Sequence, residues 1–120
     1  MSGTLKQAVL AGFRAQLAAG GVSITYSRDA LSVSITAIPG RTIETVESDF
    51  GIVFDQQRLR DWLILASDLV LDGSAVVPTR NDTITDAGGK TYRVVSIPGE
   101  PEYRYSDPYE QVFRVHSIET

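Results

Sequence analysis

The sequence predicts a mainly β fold: a small antiparallel β-barrel or sandwich with one N-terminal α-helix. Three features support this class. A helical apolar spacing opens the chain over residues 4–19. From Val22 to Ile118 a period of two takes over, so residues 22–118 read as the barrel. Turn-forming pairs (Pro39-Gly40, Gly73-Ser74, Gly88-Gly89, Pro98-Gly99) separate runs of strand length. At 120 residues the chain reads as a single domain over 1–120. That length buries roughly two-thirds of the surface of the unfolded chain, so no metal or disulfide staple is needed.

Within the helix, Leu5, Val9, Phe13 and Leu17 form a stripe flanked by Ala8 and Gly12. Thr4 followed by Gln7 makes a capping box, and Gly20-Gly21 ends the helix. The stripe permits packing on the chain's own sheet or docking on a partner subunit. Val22, Ile24 and Tyr26 then alternate with Ser23 and Thr25, and Leu31, Val33, Ile35 and Ala37 alternate with Ser32, Ser34 and Thr36. Across a turn at Arg28-Asp29 these runs make a hairpin with one wet face. Pro39-Gly40 punctuates it, and Thr-rich residues 41–46 extend the sheet. Between Glu44 and Gln57 the chain is acidic and irregular, with Ile52, Val53 and Phe54 interrupting the polarity. It reads as a solvated connection or as a functional loop at an assembly surface.

Residues 58–71 fit two periods. Leu59, Trp62, Leu63, Ala66 and Leu69 have helical spacing, whereas Trp62, Ile64 and Ala66 against Leu63 and Leu65 suit a strand buried on both faces. The flanking strands favour a strand over 58–65 and a tight bend at Ser67-Asp68. Trp62 is then a core residue whose indole N–H needs a partner. Next, Pro78 opens a turn, Asn81-Asp82 supplies a bend, and Thr83–Thr85 forms a strand. Gly88-Gly89 provides positive φ values for a hairpin, with Tyr92 and Val94 on the return strand. Pro98-Gly99-Glu100-Pro101 ends that unit. Tyr103, Tyr105 and Tyr109 surround Ser106-Asp107-Pro108 in an aromatic loop. Its rings either cover the barrel's end or form an interface, where tyrosine gives contact area at little entropic cost. The last strand covers residues 111–118, with Phe113 and Val115 facing opposite to Val112, Arg114 and His116.

Composition excludes several functions. The chain has no cysteine, hence no disulfides, thiolate catalysis or cysteine zinc site. Its net charge is −4, and Lys6 and Lys90 are its two lysines. Gripping nucleic acid needs clustered cations, so specific binding is not expected, though an acidic wall lets DNA pass. No apolar run approaches the ~18 residues of a membrane span. Ala8–Ala19, interrupted by Arg14 and Gln16, is no signal peptide. His116 is the one histidine. It reads as a half-exposed strand residue, and a catalytic triad or zinc site lacks its other members. Asp82 and Asp86 read as turn chemistry rather than a calcium loop. Gly89-Lys90-Thr91 copies the end of a phosphate-binding loop, but Ile84 stands at its first glycine and a strand follows. No catalytic, cofactor-binding or metal-binding residue is expected, and the chain does not read as an enzyme.

The run Asp61-Trp62-Leu63-Ile64-Leu65-Ala66-Ser67-Asp68-Leu69, then Pro78-x-Arg80-x-Asp82-x-Ile84, then Gly88-Gly89-x-x-Tyr92-x-Val94 resembles head–tail joining proteins of tailed bacteriophages. These include head-closure or stopper proteins and lambda-type tail-attachment proteins. Where those families commonly carry Gly-Asp, Asn81 precedes Asp82, and asparagine also tolerates the left-handed conformation. The ending Arg104-Tyr105-Ser106-Asp107-Pro108-Tyr109 looks like that of prophage-encoded relatives.

The resemblance implies a small β-barrel that forms a ring below the portal and adaptor, closes the DNA channel and receives the tail. It implies no catalytic residues and no cofactor. Expected partners are further copies of the chain and other connector or tail proteins, with DNA passing unbound and no membrane. The expected location is the virion neck, reached from the host cytoplasm. On this reading Glu44, Glu47, Asp49, Phe50 and Asp55 belong to a channel-facing loop. Tyr103, Tyr105, Asp107 and Tyr109 belong to an assembly interface. Asp68, Pro78, Arg80, Asp82, Gly88, Gly89 and Tyr92 are family turn residues. A tail-tube or tail-terminator protein, and a small ligand-binding barrel, are the competing readings.

Overall fold

The computed structural model describes residues 2–40, 59–97 and 99–120. The Thr-rich extension and the acidic stretch expected between them lie outside the described residues. Helix α1 runs Ser2–Gly20. Its start at Ser2 puts Thr4 inside the first turn, so Thr4 is not the N-cap residue of the expected capping box. The stripe is also narrower than its spacing suggests. Phe13 is buried with Leu65 and Val112, and Leu10, Leu17, Ile38 and Leu63 pack around them. Leu5 stays 63% exposed. The helix thus sits on the outside of the barrel through Leu10, Phe13 and Leu17, an i, i+3, i+7 face, and Leu5 lies beyond that contact.

The strands are β1 (Val22–Arg28), β2 (Leu31–Gly40), β3 (Leu59–Leu65), β4 (Val70–Leu71), β5 (Ser74–Ala75), β6 (Thr83–Asp86), β7 (Thr91–Val94), β8 (Tyr103–Tyr105) and β9 (Val112–Glu119). The order in the main sheet is β3-β2-β1-β6-β7-β9-β8, and β3 also pairs with β9. Among the described residues, six strands therefore close into an antiparallel barrel, with β8 continuing along the β7 edge of β9 beyond the end of β7. Ile24, Tyr26, Ile35, Ala37, Trp62, Ile64, Ile84, Tyr92, Val94, Phe113 and Val115 fill its interior. The Trp62 indole N–H donates to Ser117 Oγ at 3.1 Å, and that hydroxyl donates to the Arg60 carbonyl at 2.7 Å. The polar handle of the largest core residue is thereby satisfied.

Local chemistry sets the turns. Arg28 pairs with Leu31, so the first turn is Asp29-Ala30 rather than Arg28-Asp29, with Asp29 at φ 52. Pro39-Gly40 lies inside β2, paired with Trp62 and Asp61, instead of ending it. Counting from the Arg28–Leu31 pair, Ile38 and Gly40 direct their N–H groups at β3, while position 39 faces the other way, past the start of β1. Proline there removes no ladder bond. At the β6–β7 hairpin only Gly89 takes a positive φ, of 86°. The Asp86 carboxylate accepts the Gly88 and Lys90 N–H groups, each at 2.9 Å, and holds the rest of the loop. The β4–β5 hairpin turns on Asp72 (φ 51) and Gly73 (φ 76), the two left-handed residues of a type I′ turn. It brings Leu69 and Leu71 into the core.

The helix ends close against β2. A Cβ on Gly21 would lie 2.5 Å from the Leu17 carbonyl oxygen and 2.6 Å from Thr36 Cγ2, whereas one on Gly20 would meet nothing within 4 Å. Gly21→Ala is expected to cost ~1–3 kcal/mol by forcing the helix off the sheet. Gly20→Ala is expected to be neutral or to stabilise by up to ~1 kcal/mol. Urea denaturation of both variants checks the contrast, and equal effects would refute the close-approach account.

Candidate assembly site

The 77–82 segment is built around one buried carboxylate. Asp82 is 3% exposed. Its Oδ1 accepts from Arg28 Nε at 2.9 Å, and its Oδ2 accepts from Arg28 Nη2 at 2.8 Å. The Thr79 N–H also donates to Oδ2, at 2.9 Å, as does the hydroxyl of the fully buried Tyr26. The bidentate fork is the strong geometry for an arginine–carboxylate pair. Arg28 Nη2 further reaches the Val77 carbonyl at 2.6 Å and Thr79 Oγ1 at 3.0 Å. Asn81 takes φ 73 and donates its N–H to the Val94 carbonyl at 3.0 Å, while the Val94 N–H returns to the Asp82 carbonyl at 2.8 Å. Asp82 thus does more than shape a turn. It ties β1 to the loop that leads into β6.

Burial, then the hydrogen bond to Asp82, push the Tyr26 phenol well above its ordinary value. The bond to Asp82 raises the Arg28 guanidinium above its own.

The remaining turn residues separate into two groups. Tyr92 is buried, edge-on to Trp62 at 5.4 Å, Pro78 is buried, and Gly88 and Gly89 shape the hairpin described above. Arg80 is exposed and Asp68 half-buried in the 3₁₀ turn Ala66–Asp68. Neither forms an ion pair or side-chain hydrogen bond with any described residue.

Tyr103 and Tyr105, expected in a loop, form strand β8, paired with Val115 and Phe113. Their rings lie 5.1 and 5.3 Å from the Phe113 ring, so much of their contact area is spent on the chain itself. Burial is the main cause that raises the Tyr105 phenol, followed by Tyr103 and Glu110. Asp107 accepts the N–H groups of Tyr109 (3.0 Å), Gln111 (2.8 Å) and Val112 (2.8 Å). It organises the loop that presents half-buried Tyr109. Glu44, Glu47, Asp49, Phe50 and Asp55 lie outside the described residues.

His116, expected to be half-exposed, is 1% exposed, as is Asp61 opposite it on β3. His116 Nδ1 donates to Asp61 Oδ1 at 2.8 Å, and Arg114 Nε donates to Asp61 Oδ2 at 2.7 Å. His116 Nε2 lies 2.8 Å from Glu100 Oε2 but makes no hydrogen bond to it. The burial arises because residues 99–102 fold back along β9: Ile97 bridges Glu100, and the His116 N–H donates to the Glu102 carbonyl at 2.9 Å. Among the described residues no group of three or more His, Cys, Asp or Glu could hold a metal. The network is a polar seam between strands.

A closed barrel with its turn residues tied into the core matches the small β-barrel that the family resemblance implies. A family model described as phage head-tail joining protein matches residues 4–120. The chain belongs to that family. No curated protein and no solved structure matches it. As a phage head–tail joining protein it has a structural role between head and tail, a location in the virion and other head or tail proteins as partners. A structural family weighs against an enzyme. No helix among the described residues is long and apolar enough to cross a membrane.

The Asp82 pair sets a stability test. Asp82→Ala is expected to cost ~3–5 kcal/mol, since it strands the Arg28 charge and the Tyr26 hydroxyl. A phenol raised in the fold contributes stability that is complete below about pH 10 and is lost as pH rises, because the unfolded chain releases its proton first. In an alkaline titration followed by tyrosinate absorbance, the Tyr26 step should coincide with unfolding and vanish in Tyr26→Phe. A Tyr26 step well before unfolding would contradict the geometry.

Proposed function

We propose that this head–tail joining protein assembles as a ring below the portal and adaptor, closes the DNA channel of the filled capsid and receives the tail. The family match over residues 4–120 carries this reading. Two further observations support it. The net charge of −4 suits a channel that DNA passes without sticking. The closed barrel is a rigid unit whose loops and appended strand can meet neighbours without disturbing the core. On this reading the chain folds in the host cytoplasm and becomes part of the neck as particles mature.

The deciding experiment is electron microscopy of lysates from phage with this gene stopped early. Free tails beside tailless capsids are the expected result. Capsids that have leaked DNA would indicate closure, and capsids that stay full would indicate tail attachment alone. Complete infectious particles would refute the reading.

The acidic residues Glu44, Glu47, Asp49 and Asp55 are proposed to line the channel. Changing them to Lys should slow DNA ejection, and an unchanged ejection rate would remove that role. For the aromatic interface, Tyr103→Ala and Tyr105→Ala are poor tests because both rings pack on Phe113. Tyr109→Ala leaves that cluster intact. It is expected to melt within a few degrees of wild type yet reduce joined particles several-fold, and normal joining would exclude Tyr109 from the interface.

A further inference from the structure

Strand β8 has one paired edge and one open edge. Among the described strands it pairs with β9 alone, through Tyr103–Val115, Arg104–Arg114 and Tyr105–Phe113. Just beyond those pairs the His116 N–H donates to the Glu102 carbonyl at 2.9 Å, and the Ser106 N–H donates to the Val112 carbonyl at 2.8 Å. Ladder bonds alternate along an antiparallel strand, so Glu102, Arg104 and Ser106 turn their backbone groups toward β9. Tyr103 and Tyr105 turn theirs the other way, and no described backbone group bonds them. Two N–H and two C=O groups thus form a short open rail. The half-buried rings of Tyr103 and Tyr105 flank it on the Phe113 side. On the opposite face Arg104 is exposed, with Glu100 Oε1 3.3 Å from its Nε.

We propose that an extended segment of another head or tail protein adds to this rail as a strand, with an acidic residue opposite Arg104. The proposal rests on the head–tail joining role and names a surface that serves it. Unpaired strand groups are a template for another extended backbone, and in strand addition the main chain gives affinity while alternate side chains give specificity. The β8 strand of a second copy fits poorly. Antiparallel pairing of Tyr103 with Tyr105 sets Arg104 directly opposite Arg104, where like charges repel. Pairing Tyr103 with Tyr103 sets Tyr105 against Pro101, which has no N–H to give. Pairing Tyr105 with Tyr105 sets Tyr103 against Asp107, inside the turn that the Asp107 carboxylate organises. A segment with Asp or Glu opposite Arg104 meets none of these obstacles. A guanidinium has five donors, so it serves a second carboxylate beside Glu100. The residues on either side of that acid lie over the tyrosine rings, where apolar side chains suit them.

The test is complementation of phage carrying an early stop in this gene, with joined particles counted by electron microscopy and each purified variant melted. Tyr105→Ala and Tyr105→Pro both lose the ring, but only proline removes the outward N–H. That N–H serves no ladder bond, so proline is tolerated there. The two variants should melt within a few degrees of each other. Tyr105→Pro should give about tenfold fewer joined particles than Tyr105→Ala, the effect of losing ~1.4 kcal/mol of contact. Equal joining by the two would overturn the proposal. Arg104→Glu should fold and also reduce joining about tenfold, with suppressors that replace an acid by Lys or Arg in another head or tail gene. Normal joining by Arg104→Glu, or suppressors confined to this chain, would overturn it. Should Tyr105→Pro fail to fold, a photo-crosslinking p-benzoylphenylalanine placed at exposed Ser106 decides the occupant. Irradiated particles should then show this chain linked to another head or tail protein, and linkage to its own copies alone would overturn the proposal. Failure of wild type to complement would instead count against the joining role itself.

Discussion

The Asp82 carboxylate is the constraint on which the fold depends. Four donors from two segments converge on it: Tyr26 and both Arg28 groups from β1, and the Thr79 N–H from the loop. The barrel closes only if the chain, having left the core after β5, returns to lie beside β1. Apolar burial rewards that return but does not set its register, because sliding β6 by two residues would keep the same face inward. A bidentate arginine pair tolerates no such slide. Its contribution is therefore specificity more than net stability, since desolvating two charges consumes much of their attraction.

The second seam repeats the device. Closure through β3 and β9 places Asp61 opposite His116 and Arg114 one step along. Here too both faces of the strand are buried, with Trp62 and Ile64 inward and Leu65 under α1, so hydrophobicity alone leaves the register loosely specified. A polar group at 1% exposure is costly unless paired, and only one register pairs Asp61. Two buried carboxylates, each meeting an arginine, thus fix the two joins that close the barrel.

This explains what the sequence makes legible. The alternation of β1 and β2 is plain because one face meets the core and the other meets water. The choice of a strand over 58–65 succeeds through context and not through periodicity, since a strand buried on both faces has no polar phase to show. Asp72-Gly73 is a strong hairpin signal that a reading centred on Gly73-Ser74 passes over. The partners of Asp82 and His116 are not legible, because Tyr26, Arg28 and Asp61 lie about fifty residues away in sequence and meet them only through register. Asp61 within an apolar run is the one local hint, as a charge in a buried strand implies a buried partner. Likewise β8 reads as loop from its Ser106-Asp107-Pro108 neighbour, although Asp107 spends its carboxylate on the loop backbone and so frees Tyr103–Tyr105 to pair with β9.

The acids sort by what they are spent on. Asp61, Asp82, Asp86 and Asp107 are committed to groups of the chain itself, so they hold the barrel and have little left for a neighbour. Asp68 shares the motif-bearing stretch with Asp61 but lines the groove beside α1 across from Arg14. In a protein whose role is to join two unlike structures, residues that satisfy one another describe the scaffold.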